Sequence, residues 1–464
     1  MNSPTDTKAA PRQEVEERQA KQQSQPRPLK RVICLGGGGP AAGLHIGVLE
    51  GLEAKGIKFD QKRDIWALSC IGAWIGIMYN QAPTHREVAE IYNFFRGVFR
   101  EDKSFKSFPT NTIFAPDWGG NAEAMWDFML EPRNYKNAFL PREIVKSFMH
   151  TMSALGRMSS LRRRRRRYND REFEEVEEFE QFSEGDFNRW VLNHVLAVHP
   201  VVRFLTAMAY KSEVTGLARL YYPDSKFLKD IRFEELKQSN KPYIFHNAWN
   251  LSEQKLQLFS NRDPGPPSTE TYKRITAQSL CACSALPFVE ETVMVDGQTY
   301  CEGALKDTVN FESLLEDHHH PERNDPIDEI WINRIVDADQ VRPPKDLLDA
   351  MANLCELFAA TVGEDDVKLF KYHVYDGIAH NRPRAFKGTI VEIPVSSDIN
   401  YDWSHRNLES GRRNGRAAAQ AIYAEYMEKG GPQPHGTLRI IGEDLRVKRI
   451  EEITEARRAQ YSRS

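Results

Sequence analysis

Two short stretches near the start of the chain carry residue types suited to acyl chemistry. In LSCIGAWIG (68–76) a thiol, Cys70, stands where an apolar run passes into a helical pattern, and Gly72 follows two positions later. A nucleophile on a sharp strand-to-helix turn needs small neighbours because the turn is strained. Gly72 and Ala73 meet that need on the C-terminal side, while Leu68 occupies the place of the first glycine in a G-x-S-x-G elbow. Ser69 is the weaker candidate, since Ile71 lies two residues after it. Upstream, Gly36 to Gly39 follow a strand pattern and open a helix. Unpaired backbone N–H groups in such a loop, here at Gly37, Gly38 and Gly39, add to the positive end of the helix dipole and can form an oxyanion hole. A phosphate or dinucleotide loop would look similar. The dinucleotide pattern, however, wants an acidic residue at the end of a second strand about twenty residues on, and Asp64 opens that strand instead.

The elements that must hold these groups alternate. The strand KRVICL (30–35) leads through the glycines to a helix whose Leu44, Val48, Leu49 and Leu52 share one face. DIWALS (64–69) then passes directly into the helix CIGAWIGIMYN. Strand–helix–strand–helix predicts an α/β fold with a parallel sheet. From 84 to 239 the pattern becomes long, aromatic and charged, which predicts a mostly helical insertion or cap. It contains Arg162 to Arg167 followed by EFEEVEEFEQFSEGD, read as paired or solvated charged surfaces in preference to an anionic-lipid or phosphate patch. Strand patterns return at 243–251 and 255–260. A helix around TAQSLCACSAL is expected to end at Pro287, followed by a hairpin VMVDGQTY, a strand over 328–336, two helices between 344 and 379, and a strand over 389–395. Ser404 can cap the last long helix, which stops at Gly430–Gly431. The expected organisation is a disordered tail at 1–28, a core of 29–83 with 240–430, the insertion at 84–239, and a polar C-terminal extension at 431–464.

Composition narrows the class. The 464 residues are 40% hydrophobic and 28% charged, with a formal net charge of −3, so no global attraction to nucleic acid is expected. The six cysteines form no C-x-x-C pair, the N-terminal segment lacks an apolar signal region, and no run of eighteen apolar residues occurs. A reduced, cytoplasmic protein without a transmembrane segment, metal or cofactor is expected, with peripheral membrane contact left open.

Taken together, these motifs resemble the patatin-like phospholipase family. GGGPAAGLHIGVL is similar to its glycine-loop signature, LSCIGA to its G-x-S-x-G-A elbow, and CSALPFVEETVMVDGQTYCEGALKDTVN to the segment that supplies its catalytic aspartate. The resemblance covers 31–82 and 240–315. It implies a three-layer α/β/α core with a mainly parallel sheet and an activity on lipid-like esters through a Ser–Asp dyad. Carried over residue by residue, Cys70 stands at the serine, Glu302 at the aspartate, Ala41 at the loop arginine and Ala42 at the glycine after it. Asp296, in the VDG turn, is the second carboxylate candidate.

These departures replace one nucleophile by another and one carboxylate by another. They point to an acyltransferase or acyl hydrolase acting on a lipid-like ester or thioester, including a CoA or acyl-carrier-protein thioester. The alternative is a catalytically inactive scaffold that binds lipid or a partner, and a nucleotide-binding protein is a third. A helix N-terminus lowers a thiol pKa, whereas a neighbouring carboxylate raises it. A Cys70–Glu302 pair is therefore expected to share one proton, with Glu302 accepting it as sulfur attacks. A histidine base would suit a thiol better, and His45 and His246 are the nearest in motif position. His318 to His320 are expected in an exposed polar loop.

Overall fold

The computed structural model describes residues 27–81, 88–99, 225–264, 272–338, 347–394 and 402–443, with scattered positions at 115–149, 216–219, 341, 343–345 and 445. The N-terminal 26 residues, Arg162 to Arg167, the acidic stretch after them and most of the expected insertion lie outside the described residues. The chain divides into two compact units, one of 1–115 with 219–464 and one of 116–218. The first of these carries the strands and helices expected of the core.

The main sheet of this first unit comprises, among the described residues, β1 (Arg31–Leu35), β2 (Ile65–Leu68), β3 (Tyr243–Asn250), β4 (Lys255–Ser260), β5 (Lys273–Arg274), β6 (Val293–Val295), β7 (Gln298–Glu302), β8 (Glu329–Asn333), β9 (Thr389–Ile393) and β10 (Arg439–Ile441). The order β10–β9–β8–β1–β2–β3 is parallel throughout. Every residue of β2, β8 and β9 is buried, as expected of parallel strands covered on both faces. Alternate side chains serve two cores. Ile33, Leu35, Trp66, Leu68, Trp331 and Val391 belong to a layer shared with α1 (Ala42–Ala54), α2 (Ile71–Asn80) and α7 (His405–Glu428). Val32, Cys34, Ile65, Ala67, Ile330 and Ile390 face the other layer, with α5 (Phe311–His318) and α6 (Leu347–Ala379). This is the three-layer α/β/α arrangement.

Helices α1 and α7 meet through glycines. A Cβ on Gly47 would sit 2.0 Å from the Arg412 carbonyl oxygen, and one on Gly415 would sit 2.3 Å from that of Leu44. Only hydrogen at these positions lets the two backbones approach so closely. Helix α3 (Val88–Val98) packs on α1 and α2 through Ile91, Phe95 and Val98.

Several local expectations change. The two helices expected between 344 and 379 are one 33-residue helix, α6, and Gly363 inside it is buried against Arg334 and Thr308. A mid-helix glycine costs only about 1 kcal/mol, which tertiary packing overrides. Helix α4 (Ala277–Cys283) ends at Ser284, not at Pro287, because the chain turns there so that the Ala285 carbonyl can accept the Glu302 N–H at 2.9 Å. Residues 439–441, within the expected polar extension, form the edge strand β10. His318, His319 and His320 are buried, not solvent-exposed. His319 Nδ1 accepts the Ile327 N–H at 3.1 Å, and burial lowers His318 and His319 to about 3, so both are neutral near pH 7.

Candidate active site

The site forms where two strands run head-on. β2 pairs with β3 in parallel and ends with Leu68 opposite His246. β7 pairs with β3 antiparallel and ends with Glu302 opposite Ala248. β4 occupies the other edge of β3 along both stretches, so β2 and β7 share one edge and point their C-terminal ends at each other. Only Asn247 lies between them, and Cys70, just past the end of β2, converges over it with Glu302 at the end of β7.

Asn247 ties both ends in place. Its Oδ1 accepts from the Ser69 hydroxyl at 2.8 Å, and its Nδ2 donates to the Asp307 carbonyl at 2.6 Å. Asn310 Nδ2 adds a bond to the Leu68 carbonyl at 3.1 Å. These groups are buried or partly so, where an unpaired polar atom is costly.

Cys70 occupies the turn itself, with φ 48° and ψ −123°. A non-glycine residue in that region stores backbone strain, a recurrent feature of nucleophile elbows. Gly72 allows it, because a Cβ there would lie 2.3 Å from the Leu35 carbonyl oxygen. The Ser69 N–H donates to the same Leu35 oxygen at 3.0 Å. Trp74 Nε1 donates to Ser284 Oγ at 2.8 Å, which fixes α2 to the end of α4.

The glycine loop lies against the same point. Gly36 is held at both ends, its N–H by the Asn333 carbonyl at 3.2 Å and its carbonyl by His45 Nε2 at 2.9 Å. Asn333 Nδ2 in turn donates to His45 Nδ1 at 2.8 Å. Among the described residues no acceptor takes the N–H groups of Gly37, Gly38 or Gly39. A Cβ on Gly37 would fall 3.3 Å from that of Cys70 and 3.8 Å from Glu302 Oε1. Gly37 thus presents a free donor beside the thiol and the carboxyl, and Gly38 and Gly39 follow it in the same loop.

The Cys70 side chain and the Glu302 carboxyl flank the same point of the glycine loop. Burial raises Glu302 to about 7, and its interaction with Cys70 lowers it in part. Cys70 as a residue is half-buried, and its thiol is held well above its ordinary range, by burial first and then by the Glu302 charge, against which the Ile71 N–H works. The helix N-terminus is therefore the lesser influence. Glu290 stands nearby, buried, with no hydrogen-bond partner for either carboxyl oxygen and a pKa pushed well above the usual range by burial and by Glu302.

Of the expected site residues, the structure brings Cys70, Glu302 and Gly37 together, with Gly72 in the elbow against Leu35, while Gly38 lies against Ile335 and Val336. Asp296 is the correction. It occupies the β6–β7 turn with φ 50°, exposed, its carboxylate 3.6 Å from Lys273, at the opposite end of β7 from Glu302. An Asp-Gly pair with positive φ at both residues is what a tight hairpin selects. His45 serves the glycine loop, and His246 is buried, stacked on Phe259, with Nε2 3.2 Å from Ser279 Oγ. Burial lowers both to about 4. Sequence reasoning did not find Asn247 or Cys283. The sulfur of Cys283 accepts the Cys70 backbone N–H at 3.1 Å, and no local signal marks either residue.

Among the described residues no helix is long and apolar enough to cross a membrane. No curated protein matches the chain. Among solved structures the chain is similar to VipD from Legionella pneumophila, at 12% identity and a TM-score of 0.33, covering 85% of this chain and 66% of that one. The family model for patatin-like phospholipases matches residues 33–315, more than half of the chain and a span that holds Cys70, Glu302 and the glycine loop. The chain belongs to the patatin-like phospholipase family.

Proposed function

We propose that the chain is an acyl-handling enzyme in which Cys70 is the nucleophile and Glu302 its proton acceptor, acting on a lipid-like ester or thioester as hydrolase or acyltransferase. Family membership supports the coarser part, lipid acyl hydrolase-type chemistry. The finer part is supported by one arrangement, the strained Cys70 at the elbow beside the buried Glu302 carboxyl, which burial raises to about 7. Near neutral pH a substantial fraction of Glu302 is ionised and can take the thiol proton as sulfur attacks the acyl carbon. The carbonyl π electrons move to oxygen, and N–H groups of the Gly37 to Gly39 loop stabilise that charge. Collapse expels the alcohol or thiol, which regains the proton from Glu302, and leaves an acyl thioester on Cys70. Water or a second acceptor then releases the acyl group, with Glu302 acting as base again.

The test is intact-protein mass spectrometry after incubation with p-nitrophenyl butyrate or a short acyl thioester. An acyl adduct on Cys70, absent in Cys70→Ala, is expected. A Cys70→Ala variant that retains turnover sinks the proposal. The second reading, a scaffold that binds lipid without chemistry, is favoured by the high pKa of the thiol and by Ala41 where the family has arginine. It predicts no adduct and equal lipid binding in Cys70→Ala.

A further inference from the structure

The first half of α6 has an outward face that the described residues leave exposed. Leu354, Leu357 and Phe358 stand on it, 55%, 44% and 55% exposed, while Ala352, Glu356 and Ala360 on the opposite stripe are buried. Between Met351 and Gly363 the helix carries a single charged residue, Glu356, so this face bears no formal charge. Its second half differs: Leu369 and Tyr372 are exposed there among Asp365, Lys368 and His373.

The uncharged stripe lies at the lip of the Cys70 site. Cys355, next to Leu354, is close enough to Glu302 for that carboxyl to help raise its thiol to about 11, after burial. Helix α6 also packs on the turn 303–305 that follows Glu302, and Leu305 on that turn is exposed. A further apolar side chain comes from the other flank. Leu286 and Val289 pack with Met351, Ala352 and Cys355, and this contact carries Phe288, 63% exposed, to the side of α6. Phe288 is held at φ 72°, a conformation L-residues rarely adopt. These segments also build the site, since Ala285 accepts the Glu302 N–H.

We propose that Phe288, Leu305, Leu354, Leu357 and Phe358 form an apolar rim that docks the mouth of the Cys70 site onto a neutral lipid surface. The inference rests on the lipid-like acyl substrate of the proposed function and names how that substrate is met. An aggregated lipid offers its acyl groups at an interface, and an apolar rim around the nucleophile lowers the cost of drawing a chain out of it. Charge selects the kind of surface. Sites for anionic membranes carry clusters of about four to eight cations, whereas among the described residues of 286–290, 303–306 and 351–360 the one cation is Lys306, beside Leu305. A zwitterionic bilayer is the surface that matches.

Flotation with phosphatidylcholine vesicles tests this on the full chain. Wild type is expected to float, with little dependence on salt. The double variant Leu354→Asp/Phe358→Asp should lose on the order of tenfold or more in partitioning, since each apolar side chain contributes about that much. Leu369→Asp, on the charged half of the same helix, should float as wild type. Circular dichroism melts of all three should coincide. Failure of wild type to float overturns the proposal, and so does undiminished flotation of the double variant. Absent flotation with a wild-type dimer that the double variant disrupts assigns the rim to a second copy and likewise overturns it. Cys70→Ala separates the two readings: flotation of this variant without any adduct in wild type leaves the docking surface standing and removes the catalytic proposal. An adduct without flotation does the reverse.

Discussion

Asn247 Oδ1 accepts from Ser69 Oγ at 2.8 Å in the one-residue gap where β2 and β7 face each other end to end. With its Nδ2 on the Asp307 carbonyl at 2.6 Å, the same side chain spans the elbow and the segment after Glu302. Asn247→Ala removes both bonds and leaves the Ser69 hydroxyl and the Asp307 carbonyl only their mutual bond at 3.2 Å. A loss of roughly 1–3 kcal/mol is expected, measured by urea unfolding. The rate of Cys70 acylation should fall at least tenfold at saturating ester, because the two reacting side chains lose their common anchor. Asn247→Asp, which keeps the Ser69 bond alone, should fall between.

Cys283 supports the elbow from the other side. Its sulfur is the acceptor for the Cys70 N–H, at 3.1 Å, and it is fully buried. In Cys283→Ala that N–H has no partner, and a destabilisation of about 1–3 kcal/mol is expected. Cys283→Ser retains an acceptor and should recover part of it. Paired denaturant melts of the two variants check the order.

Glu302 should show opposite effects on activity and stability. Its folded pKa, raised by burial from 4.5 to about 7, lies above the unfolded value. Its contribution is therefore fully present below pH 4.5 and is lost as pH rises through about 7. Above that, the ionised buried carboxylate costs roughly 3 kcal/mol relative to a neutral group. Glu302→Gln should match wild type near pH 4 and be more stable at pH 8, by up to roughly that amount. Acylation runs the other way. The wild-type rate should climb as Glu302 ionises and level off above pH 7, and Glu302→Gln should lose about a hundredfold or more. pH-dependent unfolding and adduct-formation rates read the two effects separately.

Gly72 is the steric hinge of the elbow. A Cβ there would lie 2.3 Å from the Leu35 carbonyl oxygen, with backbone that cannot yield. Gly72→Ala is expected to cost about 3 kcal/mol, at the upper end for overpacking. Gly436→Ala, whose Cβ would meet nothing within 4 Å at an ordinary φ, should change stability by less than about 0.5 kcal/mol. Thermal melts of the two variants make the comparison.

What local sequence could determine was the pattern carried by neighbours in the chain. β1, the glycine loop, β2 and the turn at Cys70 are contiguous, and their strand–glycine–helix order follows from apolar runs and small residues close together. The family motif placed Glu302 at the carboxylate. It kept Asp296 as the second candidate, and the Asp-Gly turn there is hairpin geometry with the carboxylate 3.6 Å from Lys273. Ser404 likewise caps α7 by accepting the Asn407 N–H, a bond three residues long. The remaining features depend on pairings between distant segments. Asn247 matters only because β2 and β7 end on the same edge of β3. Cys283 matters because α4 brings its sulfur to a backbone 213 positions away. His45 became a loop support once β8 put Asn333 beside it. The burial that lifts Glu302 and Cys70 is also tertiary, since desolvation depends on what the whole fold packs around a group and not on the group's neighbours in sequence.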